Sequence, residues 1–84
     1  MSLLTENIIP GEHGKIFATN ANEESELIEI KNELLKIEGI EEVHINNAIF
    51  PKEFTIITDK VISIEEVEKV VKSTGFHAIP KAII

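Results

Sequence analysis

The feature that most constrains the fold is the order in which two hydrophobic periods follow one another along the chain. Apolar and polar residues alternate over residues 15–20, around Val43 and Ile45, and over residues 54–58, as in half-buried strands. Between these segments, apolar residues recur at spacings of three and four, which is typical of amphipathic helices. A short β-rich tail, residues 78–84, predicts a last strand. The predicted order is therefore strand, helix, strand, strand, helix, strand.

Each of the two predicted helices has a start signal and a stop signal. Gly39 and Gly75 follow the apolar stripes, where glycine adopts the left-handed conformation that ends a helix. Ser63 begins the second helix with a capping-box pattern, and Asn20 or Asn22 is the expected N-cap of the first. The stripes comprise Leu27, Ile30, Leu34 and Ile37 in the first helix and Ile64, Val67, Val70 and Val71 in the second.

This order of elements predicts an α+β fold, the ferredoxin-like βαββαβ sandwich. It has a four-stranded antiparallel sheet with two helices on one face. The first and third strands are central in this topology, and Pro80 agrees with an edge position for the last strand, because proline cannot donate to a β-ladder. Residues 1–14, with a turn signal at Pro10-Gly11, are expected to form an irregular N-terminal arm. Residues 15–84 are expected to form a single domain.

Charge and composition exclude several classes of partner. The formal net charge is −7, and all eight basic residues are lysines. Nucleic acid and anionic membranes are recognised by basic surfaces, often rich in arginine, so neither is expected as a partner. Complementary charge favours a basic protein surface instead. The first residues have neither a basic region nor a long apolar run, so no signal peptide or membrane span is predicted and a cytoplasmic location is expected.

No catalytic constellation is visible in the sequence, and we do not expect an enzyme. The chain contains no cysteine, which excludes disulfides, thiolate nucleophiles and cysteine-ligated metal clusters. Ser25 and Ser63 lie at predicted helix starts, where serine has a structural use, and lack the base and orienting group that a nucleophile needs. The glycines at positions 11 and 14 lack the spacing and the following helix of a phosphate-binding loop.

Three local patterns carry a resemblance to a known family. Gly39-Ile40 follows the first predicted helix, residues 54–59 form a strand that ends in Asp59, and Thr74-Gly75-Phe76 ends the second helix. Together they resemble the heavy-metal-associated family of copper-chaperone domains, which has a Gly-Val step, a strand ending in Asp and a Gly-Phe or Gly-Tyr exit at these places. The resemblance covers about residues 15–80 and implies the ferredoxin-like fold.

The resemblance also locates the family's metal loop, Gly-Met-Thr-Cys-x-x-Cys. Counting back from Gly39 places Glu23 and Glu26 at the two cysteine positions and Ala21 at the methionine position. Because Cu(I) prefers soft thiolates and thioethers, the metal site is not transferred and no cofactor is expected. The alternative is a weak site for Zn²⁺ or another divalent metal at the same place. Its ligands would be Glu23, Glu24, Glu26 and His77.

The open face of the predicted sheet is the first candidate interaction surface. Phe17, Thr55 and Ile57 are expected to point away from the helices. Phe17 and Ile57 lie on adjacent central strands, and a contiguous apolar patch there would bind a protein partner or a second copy of the chain. The residues expected to point toward the helices are Ile16, Ala18, Val43, Ile45, Phe54 and Ile56.

The hairpin connection is the second candidate interaction surface. Ile49 and Phe50 are apolar in a segment where loops are normally polar. They either fold under the end of the sheet, the favoured interpretation, or dock on a partner. The sequence thus predicts a non-enzymatic protein-interaction or regulatory module. The alternatives are a metal transport or homeostasis protein with Glu and His ligands, and a small-molecule sensor with a polar pocket that the sequence does not locate.

Overall fold

The computed structural model describes residues 8–9, 11 and 14–83. Neither helix within these residues has the length and the apolar character of a membrane span. In chain order, the elements are β1 (Ile8–Ile9), β2 (Gly14–Thr19), α1 (Glu24–Leu34), β3 (Ile40–Asn46), β4 (Glu53–Thr58), β5 (Ile62–Ser63), α2 (Ile64–Ser73) and β6 (Ala78–Ile83).

The main sheet has the strand order β3-β4-β2-β6, and all its neighbouring strands are antiparallel. β2 and β4, the first and third predicted strands, are therefore central. β3 and β6 are the edges, and Pro80 lies in the edge strand β6 as predicted. The predicted α+β ferredoxin-like arrangement is confirmed.

The hydrophobic core lies between the two helices and one face of this sheet. Side chains at spacings of three and four on both helices are buried, as the sequence predicts. From the sheet, Phe17 and Phe54 contribute the two large rings, which stack with centroids 5.4 Å apart and an interplanar angle of 11°. The buried helix residues are Leu27, Ile30, Leu34, Ile64, Val67 and Val71.

The orientation predicted for β2 is wrong. Phe17 is completely buried and pairs with Phe54. Lys15 lies on the same buried face, with only 7% of its surface exposed, whereas Ile16 and Ala18 lie on the open face. A shift of one residue moves every side chain to the other face of a strand, so this one error inverts all of β2. Lysine at a buried-face position is compatible with the core because its aliphatic stem can be buried.

A second, two-stranded sheet is a feature that the sequence does not predict. Ile8 pairs with Ser63 and Ile9 with Ile62, in antiparallel register. Ile9 is fully buried in the core. Part of the expected irregular arm thus belongs to the folded domain, and the remainder of the arm, residues 1–7, 10, 12 and 13, lies outside the described residues.

The helix ends follow the predicted chemistry at two of four places, the start and the end of α2. Ser63 is the N-cap of α2, and its hydroxyl accepts a hydrogen bond from the backbone N–H of Glu66 at 3.4 Å. Gly75 directly follows the C-cap Thr74 of α2 and has a φ angle of 97°, in the left-handed region. Gly39 also has a positive φ angle, 104°, but α1 ends before it, at Leu34 with Leu35 as the C-cap, so the predicted glycine stop is wrong for this helix. The N-cap of α1 is Glu23 and not an asparagine.

The turn at Gly39 joins the end of the α1 segment to the loop after β4. The Gly39 carbonyl accepts a hydrogen bond from the N–H of Asp59 at 2.9 Å, and a Cβ atom at this position would lie 2.7 Å from Cδ1 of Ile62. Nearby, the Lys60 ammonium donates to the Glu38 carboxylate at 2.7 Å. This hydrogen bond, together with the attraction between the charges, lowers the pKa of Glu38 and raises the pKa of Lys60.

Candidate functional site

The loop between β2 and α1 lies where the resemblance places the family's metal loop. A carboxylate oxygen of Glu26 accepts hydrogen bonds from the backbone N–H groups of Asn22 and Glu23, each at 3.0 Å. N–H groups at the start of a helix have no partner inside the helix, and a carboxylate three residues into the helix can supply one. Glu26, which the resemblance places at a family cysteine position, thus closes the loop onto itself.

Two further contacts hold this loop. The backbone N–H of His77 donates to the side-chain oxygen of Asn20 at 2.8 Å, which places the segment after α2 beside the loop. The N–H of Ala21 donates to the Thr19 hydroxyl at 3.3 Å, and Ala21 itself is fully buried. The residue at the family's methionine position therefore packs into the core of the domain.

The side chains at this loop do not fit the copper site of the heavy-metal-associated family. Cu(I) requires soft sulfur ligands, and the sequence contains no cysteine and a single methionine, Met1. Among the described residues, no three His, Asp or Glu side chains are grouped as ligands of a metal ion. A weak zinc site with Glu23, Glu24, Glu26 and His77 as ligands stays a prediction.

An apolar surface lies next to the loop, and we call it the Phe50 shelf. It surrounds a cavity of about 330 Å³. Phe50 and Ile79 are the large apolar side chains of the shelf, with 82% and 61% of their surfaces exposed. The described residues that line the cavity are Ala18, Thr19, Asn20, Asn22, Phe50, Pro51 and Ile79.

The pairing register of β2 and β6 places residues of the Phe50 shelf next to each other. Ala18 in β2 pairs with Ile79 in β6, so both lie on the open face of the sheet. The connection between β3 and β4 is closed by a hydrogen bond from the Lys52 ammonium to the Asn47 carbonyl at 2.9 Å. It is also joined to β2, because the Thr19 N–H donates to the Lys52 carbonyl at 3.0 Å.

These contacts hold the connection against the end of β2 and leave the phenyl ring of Phe50 in solvent. The favoured interpretation, in which Ile49 and Phe50 fold under the sheet, is therefore wrong for Phe50. Ile49 is 40% exposed beside it. The bond between Phe50 and Pro51 is cis.

The patch predicted around Phe17 and Ile57 does not exist as such. Phe17 is in the core, as described above. Ile57 lies on the open face, as predicted, but it is half-buried and not fully exposed. It pairs with Gly14 and Glu42, near the end of β4 that is remote from the Phe50 shelf. Phe50 and Ile79 therefore line the same cavity, whereas Ile57 lies at the other end of the sheet.

Charged pairs also interrupt the open face. Lys81 in β6 binds Glu53 in β4 across the intervening strand β2, with an N–O distance of 2.5 Å. His44 and Glu42, two residues apart in β3, are in contact at 2.6 Å. The large, strongly exposed apolar side chains of this face are thus concentrated at the Phe50 shelf, to which β6 contributes Ile79.

Comparisons by sequence give no relatives. No protein-family model matches the chain, and no curated protein shows significant similarity to it.

Comparisons by structure identify the fold. The yeast copper transporter domain Ccc2a matches with a TM-score of 0.73 and 14% identity, over 83% of this chain and 96% of that domain. The Cu(I)-loaded first domain of the human copper chaperone for SOD1 matches with a TM-score of 0.72 and 18% identity, over 86% and 96% of the two chains. An apo heavy-metal-associated domain of a copper chaperone for superoxide dismutase matches with a TM-score of 0.68 and 18% identity, over 83% and 67%. The predicted resemblance to heavy-metal-associated domains is confirmed in the fold.

Proposed function

We propose that this domain is a non-enzymatic protein-interaction module that uses the copper-chaperone fold as a scaffold without its copper site. The observation that carries the proposal is the Phe50 shelf, where Phe50 and Ile79 expose large apolar surfaces over one cavity. Exposed apolar groups that cluster, and aromatic residues above all, are typical of protein-binding surfaces.

The state of the neighbouring loop supports this proposal. In a copper-binding loop two thiolates would be available to the metal, whereas here Glu26 uses its carboxylate to bind the N–H groups of Asn22 and Glu23. The loop is therefore held by hydrogen bonds of its own side chains and needs no bound metal to close it. It forms one side of the shelf, and the hydrogen bond between Asn20 and His77 links it to the segment after α2.

The chemistry of the shelf favours binding over catalysis. Its lining side chains are apolar, amide or hydroxyl groups, and the hydroxyl of Thr19 already accepts a hydrogen bond from Ala21. General acid–base or nucleophilic catalysis needs a titratable group within hydrogen-bond reach of the reacting atoms, and the described residues of this lining include none.

Site-specific photo-crosslinking tests the proposal. We would incorporate p-benzoylphenylalanine at position 50 in cells that naturally contain the protein and irradiate them. Position 61 is the matched control, because Val61 is an exposed apolar residue, at 62% exposure. It follows the far end of β4, roughly 17 Å from the shelf.

A discrete cross-linked protein at position 50, missing at position 61 and weakened by Ile79→Ser, is the expected result. Circular dichroism of Ile79→Ser would verify that the fold is retained. Identical cross-links from both positions, or none from position 50, would contradict the proposed function.

A further inference from the structure

We infer that the partner bound at the Phe50 shelf is a cationic protein segment in which a bulky apolar side chain lies next to lysine or arginine residues. This inference rests on the proposed function and specifies the chemistry of the partner. It follows from the apolar floor of the shelf, the charge at its rim, and the state of the lysines around it.

The floor of the shelf suits one apolar side chain. Ala18, Phe50, Pro51 and Ile79 supply aliphatic and aromatic surface, and the cavity of about 330 Å³ lies between them and the loop. Burying an exposed apolar side chain here lowers the free energy of the complex in proportion to the apolar area removed from water. Affinity therefore comes mainly from an apolar anchor, and the charges at the rim select its neighbours in the partner.

The rim on the loop side is acidic. Glu23 and Glu24 directly follow the lining residue Asn22, and both are exposed. Within residues 14–83, no lysine or histidine forms an ion pair with either carboxylate. Their charges are available to a partner, and charges at a rim accelerate the encounter with an oppositely charged surface.

The lysines around the shelf are already occupied. Lys52 donates its ammonium group to the Asn47 carbonyl, and Lys81 is paired with Glu53. The Asn47 carbonyl is neutral and does not cancel the charge of Lys52, but the charges of Glu23 and Glu24 together exceed it, so an acidic partner would meet a net negative rim. The local charge therefore favours a basic segment.

The same charges argue against a second copy of the chain as the occupant. Each copy carries a formal net charge of −7. A symmetric pair joined through the shelf presents the same patch on both sides, so Glu23 and Glu24 of both copies would be brought into one interface. Like-charge juxtaposition opposes such an interface.

Three peptides serve as probes in NMR titrations of the full ¹⁵N-labelled chain. Each has two leucines flanked on both sides by two lysines, two glutamates or two serines. We expect the lysine peptide to bind most tightly, to shift the amide signals of Asn22, Phe50 and Ile79, and to weaken as NaCl is added, because salt screens exposed charges.

Variants separate the apolar and the electrostatic contributions. Ile79→Ser should abolish saturable binding of the lysine peptide. Glu24→Gln should weaken it about two- to five-fold at low salt, the range for one exposed ion pair. Glu65→Gln is the matched control, since Glu65 is an exposed carboxylate in the first turn of α2 and lies away from the shelf, so it should change nothing.

Three results would overturn the inference. If the serine peptide binds as tightly as the lysine peptide, the shelf is an apolar docking site with no preference for cations, and the proposed function survives. If none of the three peptides binds, the cationic partner is rejected, and cross-linking from position 50 decides the proposed function separately. If sedimentation shows a dimer that Phe50→Ser dissociates, the occupant is a second copy.

Discussion

The ring of Phe17 in β2 stacks on the ring of Phe54 in β4, with 5.4 Å between their centroids and 11° between their planes. Both residues are almost completely buried. The contact joins the two central strands from the core side, and it determines which face of β2 the helices cover. Because side chains alternate along a strand, it also places Ala18, the residue after Phe17, on the open face, where it lines the Phe50 shelf.

The two phenylalanines at positions 17 and 50 should therefore respond very differently to truncation. Phe17→Ala should lower the free energy of unfolding by about 3–5 kcal/mol, the usual cost of emptying a core site of that size. Phe50→Ala should change it by less than about 0.5 kcal/mol, as at other exposed positions. Urea denaturation followed by circular dichroism measures both. Equal losses of unfolding free energy in the two variants would contradict the buried position of Phe17. If Phe17→Ala does not fold, Phe17→Leu takes its place in the comparison.

Glu26 should stabilise the domain through the two backbone N–H groups that it binds. Glu26→Ala and Glu24→Ala each remove one carboxylate from the first turn of α1, so they share the loss of its interaction with the helix dipole. The difference between them isolates the hydrogen bonds. We expect Glu26→Ala to be less stable by about 0.5–1.5 kcal/mol for each bond. Two variants of equal stability would show that the closed loop adds nothing to folding.

Gly39 and Gly75 form a matched pair for a steric test. Both have φ angles in the left-handed region, so alanine should cost about 1–2 kcal/mol of conformational strain at either position. At Gly39 the new Cβ would also meet Cδ1 of Ile62 at 2.7 Å, whereas at Gly75 it would meet nothing within 4 Å. Gly39→Ala should thus lose more stability than Gly75→Ala in chemical denaturation.

A second substitution checks the cause of that difference. Ile62→Val removes the Cδ1 atom, so its combination with Gly39→Ala should cost less than the sum of the two single changes. Strict additivity would mean that the Ile62 side chain moves aside without cost.

The pair Glu38–Lys60 predicts a dependence of stability on pH. The pKa of Glu38 is lowered in the folded protein from its ordinary value of 4.5, so its contribution is present above that value and is lost as pH falls through the lowered pKa. The pKa of Lys60 is raised from 10.5, so its contribution is present below that value and is lost as pH rises through the raised pKa. The pair thus stabilises the fold between these limits.

Glu38→Gln should consequently lower the Tm at pH 7 and leave it unchanged at a pH below the folded pKa of Glu38. The effect should be small and should fade in 1 M NaCl, since the Glu38 side chain is 86% exposed. A Tm difference that is the same at every pH would indicate a cause other than this ion pair.

Metal titrations address the loop directly. Calorimetry should show no binding of Zn²⁺ in the sub-millimolar range, and a competing chelator should retain Cu(I), because the loop offers carboxylates and no thiolate. His77→Ala is the diagnostic variant. Sub-millimolar binding of zinc to the wild type that disappears in His77→Ala would establish the alternative, a metal protein with Glu and His ligands.

The elements that the sequence predicts correctly are those determined by local chemistry. Gly75 follows the C-cap of α2 because few other residues accept its φ angle, and Ser63 begins α2 because its hydroxyl reaches a free N–H group. Pro80 lies in an edge strand because it has no N–H group to donate. Each of these assignments needs only a few neighbouring residues.

The errors concern contacts between distant segments. Both faces of β2 contain apolar residues, and only the pairing of Phe17 with Phe54 determines which face is buried. The burial of Ile9 depends on β5, more than fifty residues later in the chain. Likewise, the Phe50 shelf needs the pairing of Ala18 with Ile79, in a ladder whose register shifts between Ile16 and Phe17. No local pattern encodes such a shift.

The connection between β3 and β4 suggests how a domain like this can change its partners during evolution. The connection carries Phe50, and the hydrogen bond between Lys52 and Asn47 closes it outside the sheet. Connections of this kind tolerate insertions and substitutions far better than strands do. A new sequence of a few residues here would give the same scaffold a different specificity, and transplanting the connection between related domains would transfer that specificity with it.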